Sequence, residues 1–124
     1  MPPVRILLVE DNEVFRDALE LLLGMRDDVE IVASVGDGLA AVSAAVEYRP
    51  DVVLMDYRLP ALDGIQATAQ VVSTVPEVAV VALTASADAA EREALLAAGA
   101  VACLAKDQEL EEIVTAILQA AAAA

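Results

Sequence analysis

Histidine and tryptophan are absent from these 124 residues. With no imidazole the chain has no His-ligated zinc site, no Ser-His-Asp or Cys-His catalytic pair and no phosphohistidine of its own to relay. Aromatic side chains amount to 2% of the sequence, against 59% for hydrophobic types as a whole. The core must therefore be built from Ala, Val and Leu, with backbones packed close together. A lone cysteine, Cys103, cannot form an internal bridge, which fits a reducing compartment. Basic residues are scarce as well: 7 against 21 acidic ones, for a net charge of -14. A surface that acidic repels phosphate backbones, so direct nucleic-acid binding by this domain is not expected. Mean hydropathy is high at +0.63, yet no stretch approaches the roughly 18 consecutive apolar residues of a membrane span. The opening MPPVRILLVEDN lacks the charged segment and long apolar run of a signal peptide. These absences lead to the expectation of a single cytoplasmic domain over residues 1–124, without membrane attachment.

What is present is a rhythm. Short apolar runs recur at Val4–Val9, Val29–Val35, Val52–Met55, Val78–Leu83 and Ala100–Leu104. They are nearly continuous rather than alternating, as in strands buried on both faces of a parallel sheet. Between them lie segments of helical period. In the first, Val14, Phe15, Ala18, Leu19, Leu22 and Leu23 form one stripe, with Asn12 or Asp11 as N-cap. The others are expected at about Gly38–Tyr48 with Asp37 as cap, Gly64–Ser73, Asp88–Ala98 ending at Gly99, and from Gln108 onward. The alanine run at Ala120–Ala124 reads either as helix extension or as the start of a linker. Five β-α units in succession predict an α/β fold: a doubly wound parallel sheet with helices on both faces. Sites in such sheets form where loops leave the carboxyl ends of the strands.

Five polar residues fall at those ends. Glu10 and Asp11 follow the first strand, Asp56 the third, Thr84 the fourth and Lys106 the fifth. Taken singly, each has an ordinary explanation as a turn residue, an N-cap or a solvated charge, and Asp63 before Gly64 is read as structural. Taken together they share one predicted rim. Two carboxylates about 4 Å apart repel by roughly 4 kcal/mol at an effective dielectric of 20. Three in one cleft require a proton or a cation. Oxygen donors without His or Cys suit a hard ion such as Mg²⁺, which commonly completes its shell with phosphate oxygens. Lys106, the only lysine in the chain, is a compact phosphate partner. Thr84 offers a hydroxyl to a phosphoryl oxygen, and Asp56 is the natural carboxylate nucleophile. Positioning and charge neutralisation are most of what phosphoryl transfer needs.

On the motifs ILLVEDN, VVLMDYRLPALDG, VALTAS and the lysine of CLAKD, the chain resembles the receiver domain of two-component response regulators over essentially its whole length. The resemblance implies a flavodoxin-like (β/α)5 fold with strand order 2-1-3-4-5. It implies that Asp56 accepts a phosphoryl group from a histidine kinase or a small acyl phosphate. Asp11 is then a direct Mg²⁺ ligand and Glu10 acts largely through water. Arg58, two residues past the acceptor, supplies a backbone carbonyl to the metal. Thr84 matches the switch hydroxyl and Lys106 the phosphate-binding lysine. The stretch DYRLPALDGIQA and the ending LAKD look most like the NarL/LuxR-type subgroup, whose receivers normally precede a DNA-binding domain. No such domain lies in these residues, so either a transcriptional role resides in a C-terminal part outside them or the receiver stands alone. Cys103 stands where the family usually places a rotating Tyr or Phe, which leaves aromatic coupling to Thr84 without its side chain. The chain's own aspartate turns over, so it is not classed as an enzyme. Homodimerisation is an open possibility. Two other readings stay open: a pseudo-receiver that is never phosphorylated, and a phosphatase of the haloacid-dehalogenase type. The phosphatase would want an aspartate where Arg58 stands.

Overall fold

The computed structural model describes residues 2–85 and 88–123. Ser86 of the VALTAS motif and Ala124, the last of the alanine run, lie outside the described residues. Five strands, β1 (Val4–Val9), β2 (Val29–Val35), β3 (Val52–Asp56), β4 (Ala79–Thr84) and β5 (Ala102–Ala105), alternate with five helices. The helices are α1 (Glu13–Gly24), α2 (Gly38–Tyr48), α3 (Gly64–Thr74), α4 (Ala89–Ala97) and α5 (Leu110–Ala123). All strand pairs are parallel, in the order β2-β1-β3-β4-β5, as the resemblance implied. Residues 120–123 continue α5.

The continuous apolar runs have a direct cause. Successive side chains of a strand point to opposite faces, and here both faces are covered. Leu7, Val9, Val53, Met55, Val80 and Ala82 join Ala41, Ala44, Ala45, Ala67 and Val71 of α2 and α3 in one core layer. Ile6, Leu8, Val52, Leu54, Val81 and Leu83 join Leu19, Leu23, Ile113, Val114 and Ile117 of α1 and α5 in the other. Central strands β3 and β4 are buried throughout, whereas the edge strands β2 and β5 are mostly half-buried. Each buried Val, Leu or Ile contributes roughly 1.5–3 kcal/mol. The alanines of α2 let its backbone settle onto the sheet where larger side chains would hold it off.

Helix starts are set by short polar side chains. Asn12, Asp37, Asp63 and Asp88 accept hydrogen bonds from the N–H groups of Phe15, Ala40, Gln66 and Ala90 respectively, each worth about 1 kcal/mol. Two glycines set how the loops pack. A Cβ on Gly38 would overlap the Leu62 carbonyl, and one on Gly64 would overlap the carbonyl of Asp56. The loop between β3 and α3 is therefore clamped onto the start of α2. Gly38 N–H donates to Pro60 O at 3.3 Å and Gly64 N–H to Tyr57 O at 2.8 Å. Ala61 in the same loop takes a positive φ of 68°.

Several boundaries differ from expectation. β3 runs one residue further, so Asp56 is a strand residue paired with Leu83. β4 starts at Ala79 because the Val78 N–H is taken by Val75 O in the preceding turn. β5 starts at Ala102: Ala100 N–H closes the end of α4 on Leu95 O, and Val101 is 56% exposed. Asp88 is the cap of α4 rather than its first residue, and α3 ends at Thr74, one residue past Ser73. Gly99 follows α4 with a φ of 118°, a conformation that favours glycine. α5 starts at Leu110, since Gln108 turns back to accept the Ala105 N–H through Oε1 at 3.0 Å. The apolar stripe of α1 is narrower than its sequence pattern. Phe15, Leu19 and Leu23 face the protein, while Val14, Ala18 and Leu22 are exposed. Arg16 explains the rotation: its Nη1 reaches the Glu10 carbonyl at 3.1 Å, which turns that side of the helix inward.

Candidate functional site

The carboxyl ends of β1, β3, β4 and β5 bring the five expected residues to one rim. Glu10 and Asp56 are buried, at 1% and 4% exposure, and Thr84 is buried beside them at the end of β4. Asp11 is exposed. One carboxylate oxygen from each of Glu10, Asp11 and Asp56 lies within 4.8 Å of the other two. Lys106 Nζ approaches both buried acids, at 2.7 Å from Glu10 Oε1 and 3.2 Å from Asp56 Oδ1. It is held there by its own backbone, whose N–H donates to Thr84 O at 2.8 Å.

The local sequence explains these positions. Burying Glu10 demands partners, and the chain supplies them nearby. Its Oε2 accepts the Asn12 N–H at 3.0 Å, its backbone N–H donates to Val35 O, and its carbonyl accepts from Arg16. Its Oε1 is in ion-pair contact with Lys106 but lacks hydrogen-bond alignment. Asp56 ends β3, where the next N–H, that of Tyr57, is still held by Leu83 O at 2.9 Å. The Arg58 N–H lies 3.4 Å from Asp56 Oδ1, while the Arg58 guanidinium extends outward. Beside them Asp11, Tyr57, Arg58, Leu59, Pro60 and Asp63 line an open depression of about 440 Å³. Asp63 itself is engaged in capping α3, its expected structural role.

Electrostatics follow from the crowding. Burial, then the contact with and charge of Glu10, push the Asp56 carboxyl up to about 7, with Lys106 opposing them only in part. Burial alone would lower the Lys106 ammonium, but contact with Glu10 and the charges of Asp56 and Glu10 outweigh it and raise its pKa. One ammonium faces three carboxylates, so the cluster has anionic oxygens to spare. An all-oxygen donor set with two buried members and one exposed member fits a hard divalent cation with room for waters or phosphate oxygens. Glu10, Asp11 and Asp56 are the side chains able to hold it.

Some neighbours were not legible as site residues. Phe15, one turn into α1, lies under Lys106, with Nζ 4.9 Å from the ring centroid. It is the only phenylalanine in the chain and follows the acidic pair by four residues, a signal that could have marked it. Cys103 is half-buried on β5. Burial pushes its thiol pKa up, Arg92 lowers it and Glu91 raises it again, for a net rise. That leaves less thiolate than an ordinary cysteine and counts against a redox role.

Residues 6–118 match the family described as the response regulator receiver domain. The chain is 34% identical over 115 residues to the transcriptional regulatory protein LnrK of Bacillus subtilis, which covers 93% of this chain and 52% of that protein. It thus spans about half the length of the curated relatives it matches. The signal receiver domain of NarL from Mycobacterium tuberculosis superposes with a TM-score of 0.94 at 34% identity, covering 98% of each chain. The receiver domain of sensor histidine kinase PA1611 from Pseudomonas aeruginosa, solved with a magnesium ion coordinated in its active-site cleft, superposes with a TM-score of 0.82 at 36% identity. It covers 97% of this chain and 98% of that one. No helix among the described residues is long and apolar enough to cross a membrane.

Proposed function

Because the chain belongs to the receiver domain family of two-component response regulators, we propose that Asp56 is its phosphoacceptor and that phosphorylation switches a signalling surface. The observation that carries this reading is the meeting of three carboxylates within 4.8 Å, with Lys106 in contact with both buried members. A histidine kinase, through its phosphohistidine, or a small acyl phosphate would be the donor. An Asp56 carboxylate oxygen attacks phosphorus in line. A new P–O bond forms as the donor's P–N or P–O bond breaks, and the leaving imidazole or carboxylate departs with the electron pair. The product on Asp56 is an acyl phosphate.

Each residue has a part in that step. Glu10, Asp11 and Asp56, with the Arg58 carbonyl, would hold Mg²⁺, which when bound neutralises charge on the phosphoryl oxygens. Lys106 Nζ, already 3.2 Å from Asp56 Oδ1, pairs with a phosphoryl oxygen once the group arrives. Thr84, at the end of the neighbouring strand, donates its hydroxyl to another. The phosphoryl group on Asp56 carries about -1.5 to -2 charges and three acceptor oxygens, in place of the single charge of the carboxylate, which draws Thr84 and Lys106 and the loops that carry them toward Asp56. The population then shifts between two arrangements of the face built from α4, β5 and α5. With Cys103 in place of an aromatic, that shift runs through Thr84 and its loop. A partner or a second copy of the chain would read the altered face.

In this reading residues 1–124 form one cytoplasmic receiver unit whose own aspartate is the substrate, so it is not an enzyme. In longer proteins of the NarL/LuxR type the output is transcriptional, and here it would come from a DNA-binding domain outside these residues. The test is incubation with acetyl phosphate and Mg²⁺ followed by intact-mass measurement. One acid-labile phosphoryl addition, absent in Asp56→Asn, is the expected result. No addition under saturating donor would leave an unphosphorylated interaction module instead.

A further inference from the structure

Glu91 occupies the first turn of α4. An acid there is ordinarily explained by the helix dipole and points into water. This one points inward. Its side chain is 17% exposed, and its Oε2 is buried without a hydrogen-bond partner. Its Oε1 lies 3.9 Å from Arg58 Nη2, whereas the Arg58 side chain is 80% exposed. Glu91 also faces β5, where its charge acts on the Cys103 thiol.

Arg58 is the other half of the arrangement. It stands two residues past Asp56, and its N–H lies 3.4 Å from Asp56 Oδ1. Its guanidinium nevertheless reaches away from the acceptor, toward α4. A single carboxylate at 3.9 Å is a loose partner. A phosphoryl dianion offers a stronger and geometrically better one, since guanidinium matches phosphate in bidentate fashion.

We propose that Glu91 is a positioning residue that holds the Arg58 side chain off Asp56 in the unphosphorylated chain, and that a phosphoryl group on Asp56 draws Arg58 away and so releases the start of α4. The inference rests on the reading of Asp56 as phosphoacceptor. It gives that reading a route from the acceptor loop to α4 without an aromatic on β5. It also assigns a task to an inward-turned carboxylate whose ion-pair contact is made through Oε1.

The test is a double-mutant cycle on the whole chain. Phosphoryl addition from acetyl phosphate with Mg²⁺ is followed by intact mass in the wild type, Glu91→Gln, Arg58→Ala and the double variant, at low and high salt. Amide exchange of residues 89–97 is followed in parallel. Glu91→Gln frees Arg58 for the incoming anion and should speed addition roughly two- to fivefold, the scale of a partly exposed ion pair. Arg58→Ala should erase that gain, so that the double variant matches Arg58→Ala alone. High salt should shrink the gain in the single variant. Exchange in α4 should rise on phosphorylation of the wild type and be raised beforehand in Glu91→Gln. Independent, additive effects of the two substitutions, or an unchanged rate in Glu91→Gln, would overturn the inference while wild-type phosphorylation leaves the parent reading standing. Absence of any phosphoryl addition to the wild type removes the parent reading and this inference with it.

Discussion

Lys106 lies nearer to Glu10 than to Asp56, at 2.7 Å against 3.2 Å. The lysine is thus first the counter-ion of a fully buried glutamate and only second the partner of the acceptor. Glu10 pays for its burial by holding the ammonium in place, and the ammonium is thereby already at hand when a phosphoryl group arrives.

Removing the ammonium therefore harms the fold as well as the chemistry. Lys106→Ala leaves Glu10 Oε1 buried with no positive partner and should cost roughly 1–3 kcal/mol. Urea unfolding checks this. Lys106→Arg should recover much of the stability, because the charge is restored, but less of the phosphorylation rate, because the fork does not fit a site shaped around a point charge.

Asp56 makes stability fall with pH. Its folded carboxyl is pushed up to about 7 from an ordinary value near 4 by burial, then by Glu10. The folded state therefore binds the proton more tightly than the unfolded one. Its favourable contribution is complete below about pH 4 and is lost as pH rises through about 7. With a chelator present, the melting temperature of the wild type relative to Asp56→Asn should drop between pH 5 and pH 8. A flat difference across that range would contradict the crowding described for the cleft.

A divalent ion should reverse that loss. At about 100 times its dissociation constant a ligand of the native state alone adds about 2.7 kcal/mol. Mg²⁺ should raise the melting temperature by several degrees at pH 8, and by less at pH 5, where Asp56 is protonated. Asp11→Ala should remove most of the response with little effect on the metal-free protein, since Asp11 is exposed. Thermal melts with and without the ion provide the comparison.

Gly38→Ala tests the clamp on the acceptor loop. The added Cβ meets the Leu62 backbone, which cannot swing aside as a side-chain tip would. Overpacking of this kind costs roughly 1–3 kcal/mol. Ala elsewhere in a helix normally stabilises relative to Gly, so a loss measured by chemical denaturation would identify the contact rather than propensity.

How much of this could be read from residues alone differs by element. The α2 range and the first two strands follow from apolar runs bounded by Asp37, Pro50 and Gly36, and the structure places them where the pattern does. The starts of β4, β5 and α5 shift because turn hydrogen bonds at Val78, Ala100 and Gln108 claim residues that hydropathy assigns to the element. α1 is turned by Arg16, whose bond to the Glu10 carbonyl is invisible to a count of apolar positions. At the rim, Glu10, Asp11, Asp56, Thr84 and Lys106 were legible because each lies at or just past the carboxyl end of an apolar run. Phe15 and Glu91 were not. Phe15 meets Lys106 across 91 residues of chain, and the inward turn of Glu91 toward Arg58 joins a helix start to a loop 33 residues away in sequence, which no local spacing announces.

The scarcity of rings has an optical side. With no indole, the phenols of Tyr48 and Tyr57 dominate near-ultraviolet absorption and emission over the single Phe15 ring, and Tyr57 is covalently joined to the acceptor and lines the depression beside it. Events at the cleft should register in the phenol's near-ultraviolet dichroism without any attached label, and a Tyr48→Phe background would make that signal a single-site reporter.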